Sequence, residues 1–298
     1  MKRHDLTDEE WAWLQPLLPV STGWGAQWND HRTVINGIFW RTRTSSPWRD
    51  LPTCYGRWKT VYNRHRRWSL DGTWERILDG LRAGCDEAEG EDWTVSVDST
   101  VVRAHQHAAG ARHAPAKDAL SKGTGKHERV TSGREALGRS RGGLSTKIHL
   151  VADRRCRPIA RILTPGQHAD CPQFIALMEA IRIRRRGLGR PRTRPARAMA
   201  DKAYSSRANR HYLRRRGIKT VIPVKKDQQD NRQRLGSKGG RPPAFDREAY
   251  KERNTVERCV NKLRQYRAVA TRYDKRAIIY QGTLDVASIR IWLRHPVT

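Results

Sequence analysis

Three acidic residues, Asp98, Asp201 and Glu257, stand where the sequence itself suggests that they meet. Asp98 lies inside WTVSVDSTVVRAH, a run rich in β-branched residues that reads as a strand, with Val95, Val97 and Ser99 on one side and Ser96 and Asp98 on the other. Asp201 ends a shorter strand-like run, ARAMADKAY. Glu257 sits in YKERNTVERCVNKLRQY, from Tyr250 to Tyr266. On one continuous helix, Tyr250, Arg253, Glu257, Asn261 and Arg264 share a sector about 80° wide, beside an apolar stripe of Val256, Val260 and Leu263. Such a helix buries one side, holds a carboxylate among cations, and turns Lys251, Arg258 and Lys262 toward a polyanion. Carboxylates grouped in this way form a hard-oxygen site suited to Mg²⁺ or Mn²⁺. Two such ions about 4 Å apart can activate a water or a 3′-hydroxyl and stabilise the leaving oxygen of an in-line phosphoryl displacement. Each acid alone is as well described as a strand-end or surface residue, and the helix alone as an amphipathic one with i, i+4 ion pairs. Only the order of the surrounding elements joins them.

That order begins with helices. Thr7, with Glu10 three residues on, has the spacing of a capping box and starts a short helix carrying Trp11, Leu14 and Leu17. A second helix is expected over 31–42, a third over 57–69 and a fourth around Trp74 to Leu81, from the shared faces of their apolar residues. The third carries Arg57, Lys59, Arg64, Arg66 and Arg67 around buried Trp58, Val61, Tyr62 and Trp68. Four short helices with an arginine-loaded third suggest a DNA-binding module of helix-turn-helix type over 1–88, or an ordinary bundle with a solvated basic face. The acidic stretch DEAEGED, 86–92, marks the expected boundary. Beyond it, the Asp98 strand, LSTKIHLVAD and RPIARILTPG read as an antiparallel run of three strands. A helix around Phe174 to Ile181, the Asp201 strand, a helix over 205–216, the strand KTVIPV, the Glu257 helix and a final helix around LDVASIRIWLR complete the chain. Two polar stretches, about 108–143 and 226–246, are expected to be mobile loops. Three strands, helix, strand, helix, strand and a closing helix is the order of a ribonuclease-H-like α/β fold over 89–298. This is a mixed sheet flanked by helices, in which the first and fourth strands are neighbours.

Composition narrows the partner. The 298 residues carry 60 Lys plus Arg against 30 Asp plus Glu, a formal charge of +30, so nucleic acid is the expected partner. With 37% hydrophobic residues the chain can build a real core. It has no apolar run of membrane-spanning length and no signal-like start, from which a cytoplasmic, membrane-free protein is expected. The five cysteines contain no C-x-x-C pair and read as reduced packing thiols; zinc at His105, His107 and His113 is disfavoured.

Along nearly its whole length the sequence resembles bacterial insertion-sequence transposases of the insertion-sequence-five family, in the DDE, ribonuclease-H-like group. The resemblance rests on NGIFWRTRTSSPWRDLP, YGRWKTVYNRHRRW, VDSTVVRAH, GGLSTKIHLVAD, ADKAYSS and RNTVERCVNKLRQYRAVATRYDKR. It implies that Asp98, Asp201 and Glu257 are the catalytic, metal-binding triad for two Mg²⁺ or Mn²⁺ ions, and that Tyr250, Arg253 and Glu257 match a family signature. Related families place a lysine seven residues beyond the glutamate, where such residues hold the transposon end's phosphates; the resemblance thus implies that Tyr250, Arg253 and, at the lysine position, Arg264 bind DNA. A guanidinium is not interchangeable with an ammonium at a tight phosphate. It further implies binding to double-stranded DNA, at terminal inverted repeats and target, with a homodimer or higher assembly in the active complex. Arg64, Arg66 and Arg67 are candidate contacts to the repeats, and Lys202 a candidate phosphate contact. Two other readings use the same residues: a ribonuclease-H-like nuclease indifferent to element ends, and an inactive DNA-binding derivative.

Overall fold

A computed structural model describes residues 4–20, 28–111 and 135–297. The elements, in chain order, are α1 (Asp8–Leu14), α2 (His31–Thr44), α3 (Trp58–Leu70), α4 (Thr73–Arg82), β1 (Thr94–Ala104), α5 (Gln106–Ala109), β2 (Gly138–Ser140), β3 (Gly143–Ala152), β4 (Pro158–Pro165), α6 (Phe174–Glu179), β5 (Arg197–Ala200), α7 (Arg207–Arg215), β6 (Lys219–Val221), α8 (Lys226–Arg234), α9 (Arg247–Lys251), α10 (Asn254–Arg264), α11 (Arg267–Ala270), β7 (Thr271–Arg272) and α12 (Ala277–Arg294). The expected capping box is present: the Thr7 hydroxyl accepts from the Glu10 N–H, and the Glu10 carboxylate accepts from the Thr7 N–H.

The strands form one mixed sheet. β1 pairs antiparallel with β3 and parallel with β5, β3 pairs antiparallel with β4, and β5 pairs parallel with β6. Spatial order β4-β3-β1-β5-β6, with β3 antiparallel to β1, is the ribonuclease-H-like arrangement expected from the sequence. Two short strands, β2 on β3 and β7 on β1, were not expected. They are too short for any sequence alternation to mark them.

The two faces of β1 feed different cores. Val95 and Val97 join a cluster with Phe174, Leu177 and Leu213, whereas Val102 joins Ile148, Leu150, Val256, Val260 and Leu263 beneath α10. The period-two alternation that separates Asp98 from Ser99 is therefore real and puts Asp98 on the α10 side.

One core also runs across the expected boundary at residue 88. Val286, Ile289, Trp292 and Leu293 of α12 pack with Leu6, Val34, Trp68, Trp74 and Ile77 of the N-terminal helices. Gly282 makes this approach possible, because a Cβ there would stand 2.7 Å from Ser69 Cβ. A buried pair, Arg290 Nη1 to Glu10 Oε2 at 2.6 Å, ties α12 to α1, and Arg161 pairs with Asp285 beside it.

Two local expectations are corrected. Tyr250 to Tyr266 is not one helix. Around Asn254 the N–H groups of Thr255 and Val256 bond to residues three back, Glu252 and Arg253, so the chain tightens and restarts as α10. Asn and Thr are weak helix formers, and the Thr255 hydroxyl bonds across to Ser96 instead. The stretch 226–246 is not simply a loop, since α8 occupies its first half. Gln228 docks that helix by exchanging hydrogen bonds of 2.9 and 2.8 Å with the Ser205 side chain and carbonyl. Of the other polar stretch, residues 112–134 lie outside the described residues, as does His113.

Candidate active site

The strand register does most of the positioning. Because Val97 of β1 pairs with Ala200 of β5, the next residue on each chain segment, Asp98 within β1 and Asp201 just past β5, stand side by side. Asp98 Oδ1 accepts the Ser99 N–H at 2.8 Å. Asp201 ends β5 and caps the turn that follows, accepting the Lys202 N–H at 2.5 Å. The third carboxylate arrives on α10, whose first turn is fastened to β1 by the buried hydroxyl pair Ser96 and Thr255, 3.1 Å apart. Glu257 stands in that same turn.

The electrostatics of Asp98 register all three acids. Burial pushes its carboxyl above the usual carboxylate range, the negative charges of Glu257 and Asp201 push the same way, and the Ser99 N–H and Arg253 oppose them. Glu257 lies against Arg253: Nη2 and Oε1 are 2.5 Å apart, with the arginine side chain 20% and the glutamate 46% exposed. The Arg253 guanidinium lies 5.6 Å from the Tyr250 ring centre. Burial raises the Tyr250 hydroxyl, and the neighbouring Asp201 and Glu257 raise it further. Tyr250, Arg253, Asp98, Asp201 and Glu257 thus form one electrostatic neighbourhood. Negative charges crowded in this way are what a hard divalent cation relieves, so the donor chemistry fits one. The arrangement does not yet close around one. Among the described residues no three acidic, histidine or cysteine side chains are set to hold a metal ion, and Glu257 is turned to Arg253.

The other candidates separate. Lys202 is exposed beside Asp201. Arg264 donates to the Val101 carbonyl at 3.0 Å, bracing the end of α10 against β1. Arg64 is corrected as a surface contact. It is 7% exposed, its guanidinium lies 4.5 Å from the Trp28 ring and 5.2 Å from that of Trp68, and Nη1 meets His31 Nδ1 at 2.8 Å. A helical wheel gives arginines at 64, 66 and 67 but not the Trp28 that roofs the first of them. Arg66 and Arg67 are exposed. His105 stacks on Tyr273 with ring centres 4.6 Å apart, next to His107. All five cysteines are free thiols.

Sequence reasoning missed a polar cluster on the opposite face of β1. Ser99 Oγ donates to Asp170 Oδ1 at 2.8 Å, and Lys147 Nζ pairs with the same oxygen at 3.0 Å. Nothing local marks Asp170; only the fold brings its loop under β1.

A ribonuclease-H-like sheet with one acid inside β1, a second just past the end of the neighbouring parallel strand β5 and a third on the helix that covers them defines a polynucleotide-processing class of fold. Residues 89–281 match the family described as "Transposase DDE domain", and residues 6–78 match "Putative transposase of IS4/5 family". The chain belongs to the DDE transposase family, of the insertion-sequence 4/5 type. Among relatives, it is 36% identical over 110 residues to "Uncharacterized protein y4sN" of Sinorhizobium fredii, covering 37% of this chain and 84% of that one. It is 29% identical over 151 residues to "Putative transposase for insertion sequence element IS6501" of Brucella ovis, covering 51% of this chain and all of the relative. A solved pre-cleavage Mos1 transpososome aligns with 93% of this chain and 80% of its own at 10% identity, with a TM-score of 0.25, too low to carry an argument.

Proposed function

We propose that this DDE transposase cuts double-stranded DNA at the terminal inverted repeats of an insertion sequence and joins the freed 3′-hydroxyls to target DNA. Asp98, Asp201 and Glu257 are the residues that would hold two Mg²⁺ or Mn²⁺ ions. The observation that carries the reading is the pairing of Val97 with Ala200, which sets Asp98 beside Asp201, together with the Ser96–Thr255 contact that holds the first turn of α10, and Glu257 with it, against β1. When bound, the ions supply an activated water or hydroxyl and charge stabilisation at the leaving oxygen.

The chain's own residues do the rest. Arg253 clasps Glu257 without substrate and passes to a DNA phosphate when one arrives, because a guanidinium fork fits a phosphate at least as well as a carboxylate. Tyr250 keeps the guanidinium over its ring. Lys202, Arg66 and Arg67 neutralise phosphates, whereas Arg264 acts by bracing α10 on β1. The helices within 1–88 present the end DNA and residues 89–298 cut it, with a homodimer or larger assembly pairing two ends. The setting is the bacterial cytoplasm, on the nucleoid; among the described residues no helix is long and apolar enough to cross a membrane.

The test is cleavage of a labelled duplex carrying the element's own end, in Mg²⁺, by wild type and Asp98→Ala. Cutting by wild type alone is expected. Equal cutting by both would sink the triad. Cutting by wild type that ignores the end sequence would replace the transposase role with that of a general nuclease.

A further inference from the structure

Just past the C-terminal end of α10, a small cavity lies where the N-terminal helices meet α12. It measures about 150 Å³ and is lined by His4, Phe39, Arg43, Tyr266, Arg290 and Arg294. This is roughly five waters' worth of liquid volume. Ligand pockets for nucleosides and similar molecules run from about 300 Å³ upward. The lining is basic in an unusual proportion. Arg43 lies 5.4 Å from the centre of the Tyr266 ring, and its Nη1 is 3.5 Å from Gln265 Oε1. Arg290 is paired with Glu10 at 2.6 Å. Arg294 closes the last turn of α12, four residues after Arg290 on the same face. Among the described residues no carboxylate pairs with Arg43 or Arg294. Three guanidinium charges therefore surround one cavity against a single carboxylate. Burial raises the Tyr266 hydroxyl, while Arg294, Arg290 and Arg43 all pull it back, so their charges are felt at one point.

We propose that this cavity is a subsite for one phosphate group, and that the phosphate it takes belongs to the backbone of bound DNA. Like charges brought together in a folded protein repel, and an oxyanion held by several guanidinium forks relieves that cost. A strand whose phosphates touch Arg253 has about 20 Å to run along α10, thirteen residues at about 1.5 Å each, to reach Tyr266, two residues past the end of the helix. The subsite joins α2 of the N-terminal helices to α12, so one phosphate would clamp the two together. The choice of DNA as the source rests on the proposed function; the subsite itself does not.

The experiment uses the full chain without divalent metal. Affinity for an end-bearing duplex is measured against salt for wild type, Arg43→Ala, Arg294→Ala and the double variant. Each phosphate neutralised contributes about 0.9 to the slope of log affinity on log salt. One cavity holds one phosphate, so the double variant should lose about 0.9 from the slope, no more than a complete loss by either single. A fourfold rise in salt should then cost the double variant about 3.5-fold less affinity than it costs wild type. In parallel, inorganic phosphate should raise the wild-type melting temperature above chloride at equal ionic strength, and the double variant should lose that gain. Arg43→Lys and Arg294→Lys, which keep charge but not the fork, check that the chain folds and should retain part of the gain. A phosphate gain lost with the slope unchanged keeps the subsite and assigns it to free phosphate. An undiminished gain with an unchanged slope overturns it, and an additive loss of about 1.8 overturns the one-phosphate form. An inactive metal site leaves both readouts untouched, so failure of the catalytic reading cannot be confused with failure of this one.

Discussion

Arg253→Ala should strengthen metal binding while weakening DNA binding. In the structure Arg253 Nη2 lies 2.5 Å from Glu257 Oε1, so a cation that is to use Glu257 must first displace the guanidinium. At about 4 Å and an effective dielectric of about 20 the pairwise attraction would be about 4 kcal/mol. The Glu257 side chain is 46% exposed, however, and exposed i, i+4 pairs are worth only about 0.2–1 kcal/mol. Removing the arginine thus returns at most about 1 kcal/mol to metal binding, about a fivefold gain in affinity. The assay is titration of Mn²⁺ into DNA-free protein, followed by the loss of the free-ion electron paramagnetic resonance signal. With an end duplex bound the gain should vanish, since Arg253 then holds phosphate and its loss frees nothing. Mn²⁺ affinity that is unchanged or lower in DNA-free Arg253→Ala would refute the idea that this pair keeps Glu257 from the ions.

Glu257→Gln should leave end binding nearly intact and abolish cutting, which gel shift and cleavage on one preparation will separate. Arg64→Ala should cost roughly 1–3 kcal/mol of stability, read as a lower urea midpoint, with the salt slope of DNA binding unchanged, because Arg64 packs between Trp28 and Trp68. Arg67→Ala should do the opposite, lowering the slope by about 0.9 at constant stability. His149 is held down at about 4 by burial, below its unfolded value of 6.5, so the unfolded chain takes up a proton that the folded chain refuses. Stability from this group is therefore full above pH 6.5 and falls as pH drops toward 4, by roughly 2 kcal/mol between pH 7 and 5. His149→Gln should flatten that part of the urea-midpoint profile, although the carboxyl of Asp285, raised to about 6 by burial, contributes with the opposite sign in both proteins.

The fold was legible where periodicity is long. Alternation in β1 placed Asp98 opposite Ser99, and the same alternation sends Val97 and Val102 into different cores. The helix carrying Glu257 showed its apolar stripe, and Val256, Val260 and Leu263 are buried as that stripe requires. What stayed hidden depends on partners distant in sequence. The break before α10 falls at Asn254 and Thr255, and the hydroxyl contact that fastens the restarted helix joins Thr255 to Ser96, 159 positions apart, which no wheel contains. Arg64 looked like a surface cation because its three-residue neighbourhood is basic, and the aromatic shell that removes it from solvent is assembled from two helices and a loop. Arg294 had no motif at all, and the stretch that carries Arg43 gave no sign of a partner on α12.

The joining of α12 to the N-terminal helices has a consequence for how the chain is made. Ile289 and Trp292 leave the ribosome long after the N-terminal helices, yet Trp68 and Trp74 need them as neighbours. Until then the helices made first carry an uncovered apolar face, so a nascent or prematurely stopped chain has no finished N-terminal helical unit to release. A copy of the gene broken before residue 277 should yield a polypeptide prone to aggregation and proteolysis rather than one that occupies element ends and blocks its full-length sibling.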